Sequence, residues 1–365
     1  MQIDSNFECG NIIVESIHDQ GATLTIRPDS NAKYFQWFFF RVEAEANTPQ
    51  TFVIANAGQS SYPNAWNGYQ ALASYDGQDW FRVPTTYDGS SLTIEHTPDA
   101  DQTAYAFFVP YYESQRQALL GFCTESPSAS VYNIGESAQG RSIDLITILS
   151  PNPTAKKIWI VTRQHAGEPM AEWATEGLTR RLLDESDTVS QELLDKASFY
   201  IIPNANPDGS ALGNLRANFN GVDLNRAWNE PPETAPEIVA IEAAITQESV
   251  DYFLDVHGDE ERPFIWIIPP DVPMPPHIRE IQEHFVQELT PYNPSIKPPP
   301  KSVVGVTSGD LGMSNNYIMA AYGAPGWIIE LPFKAIPDGS NPDSLLAEGC
   351  WNFGRSCVEA LNAIL

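Results

Sequence analysis

With 47 acidic residues against 20 Lys and Arg, the 365-residue chain has a formal net charge of −27. That sign disfavours nucleic acid and anionic membrane as partners, because no basic excess exists to displace their counterions. A hydrophobic content of 42% with 11% aromatics excludes a disordered chain, and the length is that of two domains rather than one core.

The N-terminal segment MQIDSNFECG has neither the basic nor the apolar region of a secretory signal, and no apolar run is long enough to span a bilayer. Cys9, Cys123, Cys350 and Cys357 are scattered without a CxxC pair and read as reduced thiols, so the expected location is the cytoplasm. Residues 1–123 read as an all-β antiparallel sandwich. Strand-like segments recur at Asn11–Ile17, Ala22–Arg27, Lys33–Val42, Thr51–Ala55, Asp79–Val83, Ser91–Glu95 and Thr103–Val109, with Asp76-Gly77 and Asp88-Gly89 as hairpin turns. The aromatic stripe Tyr34, Phe35, Trp37, Phe38, Phe39, Phe40 could stack on a carbohydrate, but a strand apolar on both faces reads better as core.

From about Ser128, strands alternate with helices, so residues 124–365 form an α/β domain with a mixed sheet. The predicted strands are Ser142–Leu149, the run ending near Thr162, Ser198–Ile202, Val250–Val256, Phe264–Ile268 and Trp327–Leu331. Helices are predicted at Met170–Leu183, Pro236–Gln247 and Ser344–Ile364. The proline-rich stretch from 269 to 300 reads as a rigid cleft wall.

His165 follows the apolar strand Lys157–Thr162, with Glu168 three residues on. His257 ends a second apolar strand, Asp251–Gly258. Parallel strands present their C-terminal ends along one edge, so both imidazoles can reach one ion. Two His and one carboxylate leave a fourth tetrahedral position for water, the pattern of a catalytic zinc. His-x-x-Glu alone is also met by a core histidine beside a helix-initial glutamate. His18, His96, His277 and His284 are given structural or surface roles. Glu330, flanked by Ile and Leu on an apolar strand, must have a partner or a task, since unpaired burial of a carboxylate is costly.

His165-Ala-Gly-Glu168, Asn206-Pro-Asp-Gly209, Gly221-Val-Asp-Leu-Asn225-Arg226, His257-Gly258 and Ile329-Glu330-Leu331 stand in the order found in zinc metallocarboxypeptidases of the carboxypeptidase A type. The hairpin Gly135–Arg141 is similar to the one that opens that family's catalytic domain. The preceding β domain, Val109-Pro-Tyr-Tyr and Gly213-Asn-Leu-Arg216 resemble the cytosolic carboxypeptidase branch. The resemblance covers nearly the whole chain. It implies one zinc ion on His165, Glu168 and His257, with Asp223 orienting a ligand imidazole. Asn225 and Arg226 would grip the substrate's terminal carboxylate, and Arg216 would stabilise the oxyanion. Glu330 would be the general base of water attack on the C-terminal, or a side-chain-linked, peptide bond of a peptide or protein. The mobile tyrosine of the carboxypeptidase A pattern has no match: counting back from Glu330 reaches Ser308, and neither Tyr317 nor Tyr322 fits. Asn315, at the pocket position, is neither a hydrophobic nor a plainly basic selector, which leaves the side chain preferred at the substrate's C-terminus open. The branch favours acidic C-termini, which this net charge would repel unless Lys297, Lys301 or Arg163 focuses a positive field.

Two other readings compete. An aspartoacylase-like deacylase shares the metal triad, although the β domain ahead of the catalytic one favours the peptidase. A non-catalytic peptide-tail binder would keep the cleft without needing Glu330. The sequence leaves the oligomeric state open.

Overall fold

The computed structural model describes residues 1–297, 309–335 and 346–365. The first ten strands are β1 (Gln2–Asp4), β2 (Ile13–His18), β3 (Gly21–Thr25), β4 (Phe39–Glu43), β5 (Gln50–Ile54), β6 (Leu72–Ser74), β7 (Phe81–Arg82), β8 (Thr85–Tyr87), β9 (Leu92–His96) and β10 (Gln102–Ala106). They form two five-stranded sheets, ordered β1-β4-β10-β6-β7 and β2-β3-β5-β9-β8. Every pairing is antiparallel except β3 with β5, which run parallel. Both Asp-Gly pairs make the expected turns, with Gly77 at φ +75° and Gly89 at φ +94°. The aromatic stripe is core from Trp37 to Phe40; Phe40 lies 5.3 Å from Tyr105, ring centre to ring centre.

The expected strand Lys33–Val42 is regular only from Phe39. Ahead of it, side chains replace the ladder: Phe35 N–H donates to Ser61 Oγ at 3.0 Å, and the Gln36 carboxamide bonds both N–H and C=O of Tyr62 at 2.8 and 3.2 Å. These bonds fix Tyr62.

Helix α1 (Glu113–Glu125), which contains residue 123, leads into the second region. There the strands are β11 (Ala129–Glu136), β12 (Ser142–Ile148), β13 (Lys156–Thr162), β14 (Ala197–Ile202), β15 (Tyr252–Asp259), β16 (Trp266–Ile268) and β17 (Gly326–Pro332). Among the described residues they form one mixed sheet, ordered β11-β12-β14-β13-β15-β17-β16, in which β14, β13, β15 and β17 are parallel. The helices are α2 (Met170–Leu182), α3 (Thr188–Lys196), α4 (Pro207–Leu212), α5 (Pro236–Glu248), α6 (Pro276–Leu289), α7 (Ser314–Tyr322) and α8 (Ala347–Ile364). Ser344, the expected start of the last helix, lies outside the described residues. His277 and His284 are exposed on α6, as expected.

The parallel strands are buried on both faces, so alternate residues feed two cores. Ile158, Ile160, Leu254 and Ile329 pack with α2 and α8. Trp159, Val161 and Phe253 pack with Ile238, Ile241 and Ile245 of α5 and Ile318 of α7. The first core runs on into the N-terminal β region, where Phe107 stacks on Phe333 with ring centres 4.4 Å apart. No helix among the described residues is long and apolar enough to cross a membrane.

Candidate active site

Thr162, the last residue of β13, pairs with Val256 of β15, and on the far side of β15 His257 pairs with Glu330 of β17. The C-terminal ends of three adjacent parallel strands therefore meet at one edge. Past β13 the chain turns sharply, with Arg163 in the left-handed region at φ +54°. The Gly167 N–H then donates to Leu215 C=O at 2.6 Å. A Cβ at Gly167 would stand 2.8 Å from that same oxygen, so the close approach needs glycine.

His165, Glu168 and His257 are all buried, and their ligand atoms lie within 4.8 Å of one another. His165 Nδ1 is 2.8 Å from Glu168 Oε1, and His257 Nδ1 is 2.8 Å from Glu168 Oε2. Each ring is held from behind. His165 Nε2 lies 3.1 Å from Asp223 Oδ1, and His257 Nε2 lies 2.9 Å from Asp255 Oδ2. Carboxylates at Nε2 fix the ring orientations and leave both Nδ1 atoms facing one point, with the Glu168 carboxylate alongside. That donor set fits a zinc ion with an open position.

Burial would raise the Glu168 carboxyl, but His165 and His257 outweigh it and hold it near 2. Burial would likewise lower His257, yet Asp255 and Glu168 drive it well above the ordinary histidine range. A cluster that otherwise demands protons between its own nitrogen and oxygen atoms is prepared for a cation. Burial raises the partly buried Glu330 to about 8, against the pull of His257.

Asp223 links the His165–Glu168–His257 cluster to the other expected residues. Its Oδ2 accepts from Arg216 Nε at 2.7 Å, and its Oδ1 accepts the Asn225 N–H at 3.0 Å. The buried Asn225 carboxamide reaches His257 Nε2 at 3.3 Å and accepts from the Ser314 N–H at 2.9 Å. Arg226 is half-exposed; its Nη1 donates to Asn225 C=O at 2.6 Å and its Nε lies 3.7 Å from Asp310. The structure thus joins His165, Glu168, His257, Asp223, Arg216 and Asn225 in one connected network, with Glu330 beside His257 and Arg226 adjoining.

One expectation is overturned. Arg163 cannot supply a positive field for substrate, because it is fully buried and ion-paired with Glu172, with further bonds to Ala166 C=O and Tyr111 C=O. Lys297 is exposed and donates to Pro294 C=O. Lys301 and Ser308 lie outside the described residues. Tyr317 packs on Trp228 and Tyr322.

Sequence reasoning missed several members of the site. Asp255 is held by Gln164 Nε2 at 2.6 Å and by the Ser314 hydroxyl. It stands two residues before His257 on an apolar strand, so the rule applied to Glu330 would have found it. Tyr62 and Asp29 come from the N-terminal region and gave no local signal. Tyr62 accepts from Arg216 Nη1 at 2.7 Å, and Asp29 accepts three backbone N–H groups around Arg216.

Residues 3–108 match the cytosolic carboxypeptidase N-terminal domain and residues 117–271 match the zinc carboxypeptidase family. The crystal structure of a metallo-carboxypeptidase from Burkholderia cenocepacia superimposes with a TM-score of 0.95 at 35% identity, covering 100% of this chain and 98% of that one. A metallo-carboxypeptidase from Pseudomonas aeruginosa, solved in complex with (2-guanidinoethylmercapto)succinic acid, gives 0.94 at 36% identity, with 100% and 98% covered. Cytosolic carboxypeptidase 6 of Caenorhabditis elegans is 29% identical over 290 residues; the match covers 71% of this chain and 62% of that relative. A β region of this type ahead of the catalytic sheet, with the site at its strand ends, favours the peptidase over the deacylase. The chain belongs to the zinc metallocarboxypeptidases and carries the N-terminal domain of the cytosolic carboxypeptidases.

Proposed function

We propose that this metallocarboxypeptidase removes residues from the C-termini of peptides or proteins in the cytoplasm, with His165, Glu168 and His257 holding one zinc ion. The division into domains at 1–123 and 124–365 belongs to the same proposal. The observation that carries the reading is the convergence of two Nδ1 atoms and one carboxylate, each ring backed by its own aspartate. Zinc bound there would supply Lewis acidity, polarising a carbonyl and lowering the pKa of water to about 7.

The chain's own groups supply the rest. Glu330, paired with His257 at the ends of β17 and β15, is the base: a nearby cation favours its carboxylate form, which takes a proton from the attacking water and passes it to the leaving amine. The Arg216 guanidinium, fixed by Asp223 and Tyr62, meets the charge growing on the carbonyl oxygen; loss of one such donor costs about 10²–10³ in rate. Asn225 and Arg226 hold the free carboxylate, for which a guanidinium fork is the natural partner, and this restricts cleavage to a chain end.

The test is zinc content and peptide-library digestion before and after chelation, on the parent and on Glu330→Gln and His257→Ala. Release of single C-terminal residues should cease on chelation and return with zinc. Glu330→Gln should keep its zinc and lose turnover, whereas His257→Ala should lose zinc. A Glu330→Gln protein as active as the parent would remove the base assignment.

A further inference from the structure

We infer that the N-terminal β domain is part of the catalytic apparatus, with Asp29 and Tyr62 as positioning residues for Arg216. The inference rests on the oxyanion role proposed for Arg216.

Asp29 reaches across from the N-terminal domain to three consecutive amides of the Arg216 loop. Its Oδ1 accepts the Leu215 N–H at 2.6 Å, and its Oδ2 accepts those of Arg216 and Ala217, both at 2.8 Å. Three N–H groups that converge on one carboxylate fix the direction of the backbone at Arg216. That direction sets where the guanidinium leaves the chain. Tyr62 acts at the other end of the same side chain, its hydroxyl accepting from Nη1 at 2.7 Å while Asp223 takes Nε. Two guanidinium nitrogens are thereby committed to the protein, and Nη2, which makes no hydrogen bond among the described residues, is left for the carbonyl oxygen.

Neighbouring contacts confine the same loop. Arg27 Nη2 donates to Leu212 C=O at 2.7 Å, and Asn11 Nδ2 to Gly213 C=O at 2.8 Å. Ser30 N–H donates to Asn214 Oδ1 at 3.1 Å. Gly213 turns at φ +70° with its Cα face against the backbone of Cys9 and Gly10, where a Cβ would stand 2.7 Å from either oxygen. From Leu212 to Ala217 every residue is thus bonded or packed against the N-terminal domain.

A generic domain interface does not require a buried carboxylate. Burial raises Asp29 to about 6 although three N–H groups oppose that rise, so the charged side chain is retained at a cost in stability. The cost is consistent with a need for rigidity, since an oxyanion donor acts only if it stands in place before charge develops. Tyr62 is itself held by the Gln36 carboxamide on both its N–H and its C=O, so the hydroxyl is anchored through its backbone.

The experiment compares Tyr62→Phe, Asp29→Asn and Arg216→Ala, and each of the first two combined with Arg216→Ala, on one peptide substrate. Tyr62→Phe should lower kcat by about 5- to 10-fold and Asp29→Asn by about 10- to 100-fold, with KM and bound zinc close to the parent's, because misplacement of a catalytic group by about 1 Å costs on this scale. In the Arg216→Ala background both substitutions should cost nothing more. Additive losses in that background, or a kcat within twofold of the parent for Tyr62→Phe, would overturn the inference. Tyr62→Phe deletes only a hydroxyl, so it carries the test by itself if Asp29→Asn fails to fold. An Arg216→Ala enzyme with parental kcat would instead remove the oxyanion role on which the inference rests.

Discussion

Glu330 approaches His257 from the adjacent strand β17 and Asp255 from two residues back on β15 itself, and they call for different experiments. Burial raises Glu330 to about 8, so between the ordinary carboxylate value of 4.5 and that pH the folded state keeps a proton the unfolded chain has released. The native state then binds more protons across that window, and stability falls as pH rises through it. Metal-free protein should therefore lose thermal stability between pH 5 and 8 more steeply than metal-free Glu330→Gln. Zinc should flatten the difference, because a nearby cation favours the carboxylate. Parallel pH slopes for the two metal-free proteins would refute the assignment. For Asp255→Asn, weaker orientation of His257 should reduce zinc affinity by about 10- to 100-fold, measured by competition with a chelator. The proposed ligands were legible because each lies near the end of its own strand or in the turn after it. Asp29 and Tyr62 were not, because they meet Arg216 across 187 and 154 residues of sequence. No spacing rule spans such a gap; only the docked fold brings them together.

Among the elements, α2 and α8 pack backbone against backbone. A Cβ on Gly354 would stand 1.7 Å from Ala174 C=O, and one on Gly177 would stand 2.0 Å from Trp351 C=O. The two glycines let the helix backbones touch, and any side chain there must push them apart. Gly354→Ala should lower stability by about 1–3 kcal/mol, the usual cost of overpacking. The loss should appear in thermal or denaturant unfolding, with KM unchanged for the folded fraction. Stability equal to the parent's would show that the helices can separate freely. The long periodic elements were readable: α2, α5 and the parallel strands lie where apolar patterning placed them. The short strands β1, β6 and β8, with only three residues each, were too brief to show alternation. The irregular path before Phe39 was misread for a different reason. Its residues are as apolar as a strand, while Ser61 and the Gln36 carboxamide take over the backbone bonding.

At the scale of the whole molecule, a formal charge of −27 surrounds a cleft that must admit a carboxylate. With Arg163 buried in its pair with Glu172, the cations of the proposed site among the described residues are Arg216, itself bonded to Asp223, and the half-exposed Arg226. Long-range repulsion should then oppose the approach of acidic peptides, while binding at short range depends on those two guanidinium groups. Salt separates the two effects. Between about 0.01 M and 0.15 M ionic strength the screening length shrinks from about 30 Å to about 8 Å, which removes the distant field and leaves close contacts nearly intact. For peptides ending in Glu, kcat/KM should rise over that range. For otherwise identical peptides ending in Lys it should fall, with Phe between them. The same three peptides at one fixed salt concentration report the preferred C-terminal residue, so the slope and the preference come from one data set. A Glu-terminated peptide whose kcat/KM falls with salt would mean that the cleft presents a net positive field despite the charge around it.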